Sequence, residues 1–447
     1  MSKESVTYAD LFAGVGGFAA AMSAFGFQPA YSVEIDQEAA KVYKDNWKHN
    51  AYGNIMDDAS EDVMRVPIHD ILLGGFPCQP FSKSGAQQGQ DETRGTLFWN
   101  ILEIIDKRKP TIVVLENVRN LVGPKHKRTW ETIIEQLRLK GYVVSDEPAI
   151  LSPHKLPPSL GGRPQHRERV FITATYAPSL ARDSKPAPVF RANEVIENWD
   201  PQSWNLMEDL TWDESVELGT EMTTPEKIWV AAWEEFLDLY RKHNGSNPPG
   251  FPLWSDDWHD EAVPGFEDMK PWKQDFVRKN QNLYRTNQSW IDAWLLKHKV
   301  RTPLFPPSRR KFEWQAGDMQ SIRDGLFHFR PSGLRVKKGN YVPTLVAITQ
   351  TSIFGPLGRR LSAREVSRLQ GFPEWFNFGQ QLDSATYKQM GNAVNVGAVY
   401  QVLRRHISRD RELILKQPRG SLLVDAVEAA PKSPDSRLEE WILRNEN

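Results

Sequence analysis

The sequence contains a single cysteine, Cys78, among its 447 residues. One cysteine can form neither an internal disulfide nor a cysteine-rich metal site, so both kinds of structure are excluded, and we expect no metal centre. No stretch approaches the length of about 18 consecutive apolar residues that a transmembrane helix requires. Residues 1–10 have no apolar core, so we also expect no signal peptide and a cytoplasmic location.

The chain also has little net charge, only −1, but its charged residues are unevenly distributed. Residues 191–220 contain eight acidic residues and one basic residue, whereas residues 301–340 contain nine basic residues and three acidic ones. Such a separation indicates one surface that attracts a polyanion and another that repels it. The alternative is two solvated surfaces that differ by coincidence.

Short apolar runs alternate with helical patterns over the first 175 residues. The helical patterns include residues 18–25 and 129–139, and the apolar runs are residues 6–12, 31–35, 71–73, 112–115 and 170–174. Strands that alternate with helices in this way predict a parallel α/β sheet with helices packed on its faces.

The segment 176–355 has a different composition and holds eleven of the sixteen tryptophans. Thr223 and Glu226 have the spacing of a capping box, which predicts the start of a helix. The apolar stripe of that helix consists of Ile228, Trp229, Trp233, Phe236, Leu237 and Tyr240. We interpret these aromatic residues as the core of a separate module.

A second capping box, formed by Ser362 and Glu365, predicts a helix over residues 361–371, and Gly371 is suited to end it. Together with the change in composition, this helix divides the chain into three parts. We expect a catalytic and cofactor-binding domain over residues 1–185, an inserted domain over 186–355, and a return segment over 356–447.

A glycine-rich loop follows the first predicted strand. The segment DLFAGVGGF (10–18) begins a G-x-G-x-x-A pattern that consists of Gly14, Gly16 and Ala19, and Glu34 ends the second predicted strand 20 residues after Gly14. Between a strand and a helix, this pattern indicates an adenosyl cofactor whose ribose hydroxyls bind the acidic residue. By itself the loop fits an NAD-dependent enzyme about as well as an enzyme that uses a methyl donor.

The single cysteine lies in another loop at the end of a predicted strand. Cys78 is part of GGFPCQPFS (74–82), which directly follows the apolar run 71–73. A thiol in such a loop is placed for chemistry more than for packing. The alternative is that Cys78 is a small buried apolar residue.

Seven segments in order closely resemble the DNA cytosine-5 methyltransferases, in particular the bacterial modification enzymes. These segments are DLFAGVGGF (10–18), VEID (33–36), GGFPCQPFS (74–82), ENV (116–118), QHRERV (165–170), RLSAREVSRLQGFP (360–373) and YKQMGNAVNV (387–396). The resemblance covers most of residues 1–175 and 355–405. It implies a Rossmann-like S-adenosylmethionine-dependent methyltransferase sheet of the α/β class, with a smaller target-recognition domain inserted between these two regions.

The resemblance implies methyl transfer from S-adenosylmethionine to carbon-5 of a cytosine that is flipped out of a specific double-stranded DNA sequence. Carbon-5 is a weak nucleophile until a thiolate adds to C6 and turns the ring into an enamine. Cys78 matches the family's nucleophile, and Glu116 matches its acid at the ring N3. Arg167 and Arg169 match the arginines that contact the base O2 and order the site.

By resemblance, the cofactor pocket takes residues from both ends of the chain. These residues are Phe12, Ala13, Gly14, Val15, Gly17, Glu34, Ile35, Asn54, Ile55, Pro77, Leu97, Asn392, Ala393 and Val394. One of them departs from the family pattern, because Asn54 stands where the family usually has aspartate. An amide can accept a hydrogen bond from the adenine amino group, but it adds no negative charge.

The expected DNA contacts fall in two regions. The catalytic part supplies Gln79, Ser82, Lys83, Ser84, Arg94 and Gln165, and residues 81–96 are interpreted as a mobile lid. The basic part of the inserted domain supplies Arg330 and Arg335 as candidates for guanine contacts, and Lys337 and Lys338 as candidates for phosphate contacts.

We expect a monomer that acts at the bacterial nucleoid and is paired in function with a restriction endonuclease. Three alternatives are a tRNA cytosine-5 methyltransferase, a catalytically inactive DNA-binding protein and an NAD-dependent oxidoreductase. The tRNA-methylating relatives have a Cys-Phe-Thr motif that this chain lacks, while Cys78 and Glu116 argue against an inactive protein. The QHRERV segment has no role in an oxidoreductase. Covalent trapping on a 5-fluorocytosine duplex separates these alternatives from a DNA methyltransferase.

Overall fold

The computed structural model describes residues 5–77, 97–213, 220–347 and 351–445, with side chains up to residue 440. Six residues that the sequence assigns to catalysis or DNA binding lie outside these ranges: Cys78, Gln79, Ser82, Lys83, Ser84 and Arg94. The described residues form two β-sheets with helices packed around them. None of the described helices is both long and apolar enough to cross a membrane.

The first sheet has seven strands in the order β2-β1-β3-β4-β7-β5, and β6 also pairs with β7. The strands are β1 (Thr7–Leu11), β2 (Gln28–Val33), β3 (Ile71–Gly75), β4 (Ile112–Val118), β5 (Tyr142–Val144), β6 (Ala149–Leu151) and β7 (Arg169–Tyr176). Strands β1 to β4 are mutually parallel, as the sequence predicts. The chain moves to one side of β1 to form β2 and to the other side to form β3, so the strand order reverses at β1.

The expectation of an entirely parallel sheet is wrong for the edge that contains β7. Strand β7 runs antiparallel to β4, and β5 and β6 run antiparallel to β7. A parallel pairing needs a crossover connection, usually a helix, whereas only two 3₁₀ turns, Pro153–Lys155 and Pro158–Leu160, lie between β6 and β7. The antiparallel pairing places Arg169, at the start of β7, beside Val118 at the end of β4.

Five helices follow the first strands, and they cover both faces of the sheet: α1 (Gly17–Phe25), α2 (Gln37–Trp47), α3 (Ile55–Asp58), α4 (Leu97–Arg108) and α5 (Lys127–Leu139). Helices α1 and α2 share one buried core with Tyr8 of β1, Ile71 and Leu73 of β3, and Ile112 and Val114 of β4. Helices α3, α4 and α5 pack on the opposite face, against Leu11, Val113 and Leu115. This two-faced burial is the reason that the strands read as continuous apolar runs.

The second sheet consists of strands from the inserted part of the chain together with β13 from the return segment, and it has the order β13-β12-β10-β11-β9-β8. Its strands are β8 (Leu253–Trp254), β9 (Lys311–Gln315), β10 (Leu326–Arg330), β11 (Gly333–Lys337), β12 (Ile353–Phe354) and β13 (Arg359–Arg360). The helices of this region are α6 (Leu206–Asp209), α7 (Thr224–Asn244) and α8 (Pro271–Lys297).

A tryptophan-rich core joins this second sheet to α7 and α8. Trp233 of α7 stacks on Phe312 of β9 at 4.8 Å between ring centroids, and it lies 5.0 Å from Trp294 of α8. The aromatic residues are therefore the core of a separate module, as the sequence predicts. Ile228 belongs to the predicted apolar stripe of α7 but is 38% exposed.

The return segment contains the last six helices: α9 (Ala363–Gln370), α10 (Asp383–Asn392), α11 (Val396–Arg409), α12 (Arg411–Leu415), α13 (Gly420–Glu428) and α14 (Asp435–Asn445). Helices α11 and α13 pack on the same face of the first sheet as α1. The chain thus leaves the first sheet after β7, builds the second sheet, and returns to cover the first.

Both capping boxes predicted from the sequence are present, at the starts of α7 and α9. Two consecutive arginines of β13 bind their glutamates. Arg359 binds Glu365 of α9 at 2.7 Å, and Arg360 binds Glu226 of α7 at 2.5 Å. All four side chains are at most 10% exposed, and the Arg360–Glu226 pair joins the return segment to α7 through a buried contact.

We expect the Arg360→Met substitution to lower the free energy of unfolding by about 3–5 kcal/mol, because it leaves Glu226 buried without its cation. Urea unfolding followed by tryptophan fluorescence measures this loss. The control is Arg411→Met, which breaks a pair with Glu428 whose side chains are 49% and 54% exposed, and which should leave the free energy of unfolding close to that of wild type. Equal losses in the two variants would contradict the prediction.

Candidate active site

A cavity of about 330 Å³ opens where the strand order reverses, beside the carboxyl ends of β1, β2 and β3. Ligands of open α/β sheets bind at this kind of position, in pockets of about 300–1,000 Å³. The first sheet and the return segment both supply its walls, which are formed by Phe12, Ala13, Gly14, Val15, Gly17, Phe18, Glu34, Asp36, Ala39, Gly75, Pro77, Glu116, Lys388, Gln389, Asn392, Ala393 and Val394.

The glycine loop after β1 fits closely against the return segment. A Cβ atom on Gly17 would come within 2.6 Å of the Val394 carbonyl oxygen, so no larger residue fits there. Gly14 and Gly16 have φ values of +54° and +95°, which other residues rarely adopt. Helix α1 begins at this loop with no acidic residue in its first turn and no side-chain cap. Its amide groups are therefore suited to bind an anionic group.

The carboxylate of Glu34 is held at the mouth of β2 by two backbone amides. Its Oε2 accepts a hydrogen bond from Gly14 N at 2.8 Å, and its Oε1 accepts one from Asp36 N at 2.8 Å. The site thus combines a fixed carboxylate, free helix amides and apolar walls. These groups suit a nucleoside that carries an amino acid, since the carboxylate can bind the ribose hydroxyls and the helix amides can bind the carboxylate of the ligand.

The structure brings ten of the fourteen predicted cofactor residues to this cavity: Phe12, Ala13, Gly14, Val15, Gly17, Glu34, Pro77, Asn392, Ala393 and Val394. The other four lie elsewhere. Ile35 is 70% exposed, Ile55 is buried in the core with α3, and Leu97 packs against that core. Asn54 caps α3, where its Oδ1 accepts a hydrogen bond from Met56 N at 3.1 Å.

Sequence reasoning missed six residues of the cavity wall: Phe18, Asp36, Ala39, Gly75, Lys388 and Gln389. Two of them carry a periodic signal, because Lys388 and Gln389 precede Asn392 by four and three residues on α10 and therefore share its face. Lys388 Nζ also lies 3.7 Å from Asp36 Oδ2, which connects the return segment to the start of α2.

Glu116 lies at the end of β4, opposite Gly75 of β3, and faces the same cavity. Its Oε1 is 2.9 Å from Arg169 Nε, and the residue is only 8% exposed. Burial raises the pKa of Glu116 above its usual range, while the charges of Arg169 and Arg167 oppose this rise. The carboxyl group is therefore adjusted to hold a proton more readily than an exposed glutamate does.

Arg167 is fully enclosed and contacts backbone carbonyls of three later residues. Its guanidinium donates hydrogen bonds to Leu345 O at 2.9 Å, Gly391 O at 2.9 Å and Ala393 O at 2.8 Å. Burial, followed by the charge of Arg169, lowers the pKa of Arg167 to about 9, so it remains a cation at neutral pH. In this structure Arg167 orders the site, whereas Arg169 is the arginine that binds Glu116.

Asn117 is a further residue to which the sequence assigned no role. Its Nδ2 donates a hydrogen bond to Phe76 O at 2.8 Å, and its Oδ1 accepts one from Val118 N at 2.8 Å. The Asn117 side chain therefore holds the chain where it leaves β3, two residues before Cys78. The position of asparagine within the ENV segment was the available signal.

The hairpin of β10 and β11 has one polar face with several cations. Arg335 and Lys337 alternate with the fully buried Leu334 and Val336, and Arg335 lies opposite His328 across the hairpin. Since side chains alternate between faces of a strand, His328, Arg330, Arg335 and Lys337 share the polar face. Burial, and after it the charge of Arg335, lowers the pKa of Lys337 and the pKa of Arg330.

Arg335 is fixed on this face by Glu313 of the adjacent strand β9. Glu313 Oε2 accepts hydrogen bonds from Arg335 Nε at 2.7 Å and Nη2 at 2.6 Å. The pair occupies one edge of the guanidinium and leaves the Nη1–Nη2 edge directed away from the carboxylate. Lys338, by contrast, pairs with Asp318 at 2.7 Å.

The QHRERV segment (165–170) lies near this polar face. His166 N donates a hydrogen bond to Val342 O, and Val342 N donates one to Pro164 O, both at 2.8 Å. Burial lowers the pKa of His166, and the charge of Lys337 contributes to this lowering. Gln165 is completely buried, and neither polar atom of its side chain has a hydrogen-bond partner among the described residues. A contact between Gln165 and DNA stays a prediction.

Comparison with known proteins relates this geometry to one family. A family model described as C-5 cytosine-specific DNA methylase matches residues 6–408. The chain is 45% identical to the type II methyltransferase M.AluI of Cellulosimicrobium cellulans, with 96% of this chain and 97% of that protein covered. It is 28% identical to the type II methyltransferase M.HpaII of Haemophilus parainfluenzae, with 89% and 88% covered.

Among solved structures, the crystal structure of a Spodoptera frugiperda DNMT2 mutant aligns with 90% of this chain and 100% of its own length. The TM-score is 0.49, and the sequence identity is 17%.

We expect the Asn54→Asp substitution to preserve or strengthen binding of S-adenosylmethionine, because a carboxylate caps α3 as an amide does and is a stronger acceptor for the adenine amino group. Isothermal titration of the cofactor measures the effect, and Asn54→Ala serves as the comparison that removes the acceptor. A tenfold loss of affinity in Asn54→Asp would contradict this expectation.

Proposed function

The chain belongs to the C-5 cytosine-specific DNA methylase family and is a DNA (cytosine-5-)-methyltransferase, and from this premise we propose how its own residues carry out the reaction. The family resemblance and the enzyme class that the sequence predicted are thereby confirmed. We propose that Cys78 bonds to C6 of a cytosine flipped out of double-stranded DNA, and that the methyl donor occupies the cavity beside β1.

One observation carries this proposal. Glu116 lines the same cavity as the glycine loop, and so does Pro77, which immediately precedes Cys78 in the chain. The expected acid and the expected nucleophile therefore belong to one site, next to the place where a methyl donor fits. S-adenosylmethionine, when bound there, supplies the electrophilic methyl group.

Each protein group has a distinct task in the proposed reaction. The Cys78 thiolate adds to C6, and Glu116 donates a proton to N3, so negative charge does not accumulate on the ring. Carbon-5 then attacks the methyl group. Solvent water takes the C5 proton, and the C5–H electron pair forms the C5=C6 double bond as the C6–S bond breaks and the Cys78 thiolate leaves. Glu116 recovers its proton from N3, so one proton is released to solvent overall. Arg169 holds the Glu116 carboxyl group in place throughout.

The polar face of the β10–β11 hairpin is the proposed reader of the DNA sequence. Lys337 of this face lies close enough to His166 of the QHRERV segment for its charge, after burial, to lower the pKa of that histidine. We assign base contacts to Arg335 and Arg330 and phosphate contacts to Lys337. Lys338 is a weaker candidate, since Asp318 already neutralises its charge.

A pairing with a restriction endonuclease is the proposed cellular role. Both relatives described above are named type II methyltransferases, which supports a modification enzyme that acts on chromosomal DNA. We propose that the protein acts as a monomer, because the sheet and the return segment of one chain supply all the described walls of the cavity.

We expect the Cys78→Ser substitution to abolish covalent trapping on a 5-fluorocytosine duplex, because a hydroxyl cannot supply a comparable nucleophile at neutral pH.

The Glu116→Gln variant should still form the trapped complex, but roughly 10²-fold more slowly, which is the usual size of a general-acid contribution. Denaturing gels measure the trapped complex over time under single-turnover conditions.

The control for both variants is their affinity for an ordinary cognate duplex, which should stay within a few-fold of wild type. Wild-type trapping by Cys78→Ser would remove Cys78 from the mechanism. An unchanged trapping rate in Glu116→Gln would show that this acid has only a structural role.

We expect Arg335 to read a guanine, because its free edge matches the O6 and N7 acceptors of that base. Replacing the recognised guanine with 7-deazaguanine removes N7 and should cost wild type about 1–3 kcal/mol in kcat/KM. The Arg335→Ala variant should be insensitive to the same replacement. Lys337→Gln is the control, because loss of a phosphate contact weakens binding to all sequences alike. A uniform response of Arg335→Ala to every guanine in the site would contradict the assignment.

A further inference from the structure

The chain from the end of β4 to the first turn of α5 is strongly basic. Neither the sequence motifs nor the proposed mechanism assigns it a role. Residues 119–128, here called the basic segment, contain Arg119, Lys125, Lys127, Arg128 and one histidine, and no acidic residue. The segment begins three residues after Glu116, which lines the cavity beside β1. Lys125 and Arg128 are exposed to solvent.

The basic segment has an ordered backbone. It consists of two 3₁₀ turns, Arg119–Val122 and Pro124–His126, that lead directly into α5. Leu121 is 1% exposed and anchors the first turn in the core. Gly123 N and His126 N each donate a hydrogen bond at 2.9 Å to a carbonyl three residues earlier. The charged side chains therefore project from a fixed framework, which lowers the entropy lost when a ligand binds.

The charges of this segment conflict with the local requirements of α5. Lys127 and Arg128 stand in the first turn of the helix, which contains no acidic residue and has no side-chain cap. Cations at this end are unfavourable, because the helix dipole already places partial positive charge there. A sequence that breaks a local rule in this way indicates a function that gains from the positive charge.

The basic segment is continuous with the proposed DNA-reading face. Arg119 Nε lies 3.9 Å from Glu168 Oε2, and Lys155 Nζ lies 3.7 Å from the other oxygen of the same carboxylate. The charges of Glu168, Lys337 and Lys155 all act on His166, so these groups lie near one imidazole ring. A connected line of charged side chains thus runs from the recognition hairpin to the basic segment.

We infer that the basic segment binds the phosphate backbone of duplex DNA beside the target cytosine, as a second contact surface continuous with the β10–β11 hairpin. This inference rests on the proposed function, because it requires DNA to lie across the Glu116 end of the sheet. The ligand is the DNA backbone, since lysine and arginine bind phosphates without distinguishing sequences. The surface would contribute affinity and orientation, while the hairpin selects the sequence.

The test is the salt dependence of DNA binding by the double variant Lys125→Gln, Arg128→Gln. Fluorescence anisotropy with cognate and unrelated duplexes gives log Kd as a function of log salt concentration. We expect the slope to fall by about 1 for each lost phosphate contact, hence by about 2, with equal weakening for both duplexes. The reversed variant Lys125→Glu, Arg128→Glu should lose more affinity than the neutral one.

The matched control is the double variant Lys109→Gln, Lys416→Gln. It removes the same charge from the opposite end of the sheet, where β4 begins and β7 ends. Lys109 precedes the amino end of β4, and Lys416 adjoins Gln417, whose side chain donates a hydrogen bond to Tyr176 O at that end. Its slope should equal that of wild type. If the control and the test variant change equally, the effect is one of total charge and the proposed surface is overturned.

Neutral methylphosphonates at the phosphates that flank the cytosine distinguish direct contact from a distant electrostatic effect. Wild type should lose affinity for the modified duplex, whereas the neutral double variant should not. Equal losses in both proteins, or a wild-type slope in the double variant, would overturn the inference. In either case, site-specific methylation by wild type leaves the proposed function standing, while failure of wild type to bind or methylate any duplex overturns the proposed function itself.

Discussion

The buried guanidinium of Arg167 is the contact on which the assembly of this protein depends. It donates hydrogen bonds to the carbonyl oxygens of Leu345, in the segment between β11 and β12, and of Gly391 and Ala393 in the return segment. A buried cation needs compensating hydrogen bonds, so the three carbonyls must stay where they are as long as Arg167 is enclosed. The same cation thereby connects the loop before β7, the segment between β11 and β12, and the wall of the cavity beside β1.

This arrangement makes the cavity a property of the whole chain. One wall is the glycine loop of residues 12–17, and the opposite wall is the segment around Val394, which approaches Gly17 closely enough to exclude any side chain there. The arginine pairs of β13 act in the same sense, because each binds the capping glutamate of a different helix. A shift of the second sheet would disturb these ion pairs. It would also disturb, through Leu345, the hydrogen bonds of Arg167.

Much of the architecture could be predicted because local rules and tertiary structure agree there. The parallel strands β1 to β4 are continuous apolar runs, and both capping boxes have fixed spacing. The antiparallel β7 could not be predicted, because its apolar run is the same whichever way the strand points. The direction is set by the absence of a crossover helix before it. The stretch LPPSLGGRP (156–164) predicts turns there but does not fix the direction of the strand that follows.

The site was predictable where a residue's chemistry is visible in its motif, as for Glu34 and Glu116. It was less so where burial or a distant partner decides the role. Arg167 and Arg169 are two residues apart in one motif, yet one is enclosed by carbonyls and the other binds Glu116, and only the fold separates them. The pairing of Arg335 with Glu313 likewise depends on strand register, which the sequence of each strand alone does not reveal.

The position of the cavity's second wall also has a consequence for protein synthesis. Ribosomes release the amino-terminal end first, so residues 388–394 emerge after the whole of the second sheet, which ends at Arg360. On the proposed function, a nascent chain cannot enclose the methyl donor before its DNA reader has been made. Premature termination anywhere before residue 388 would therefore yield an inert fragment. Because that fragment could not bind the methyl donor, it could not methylate the host chromosome at unselected sequences.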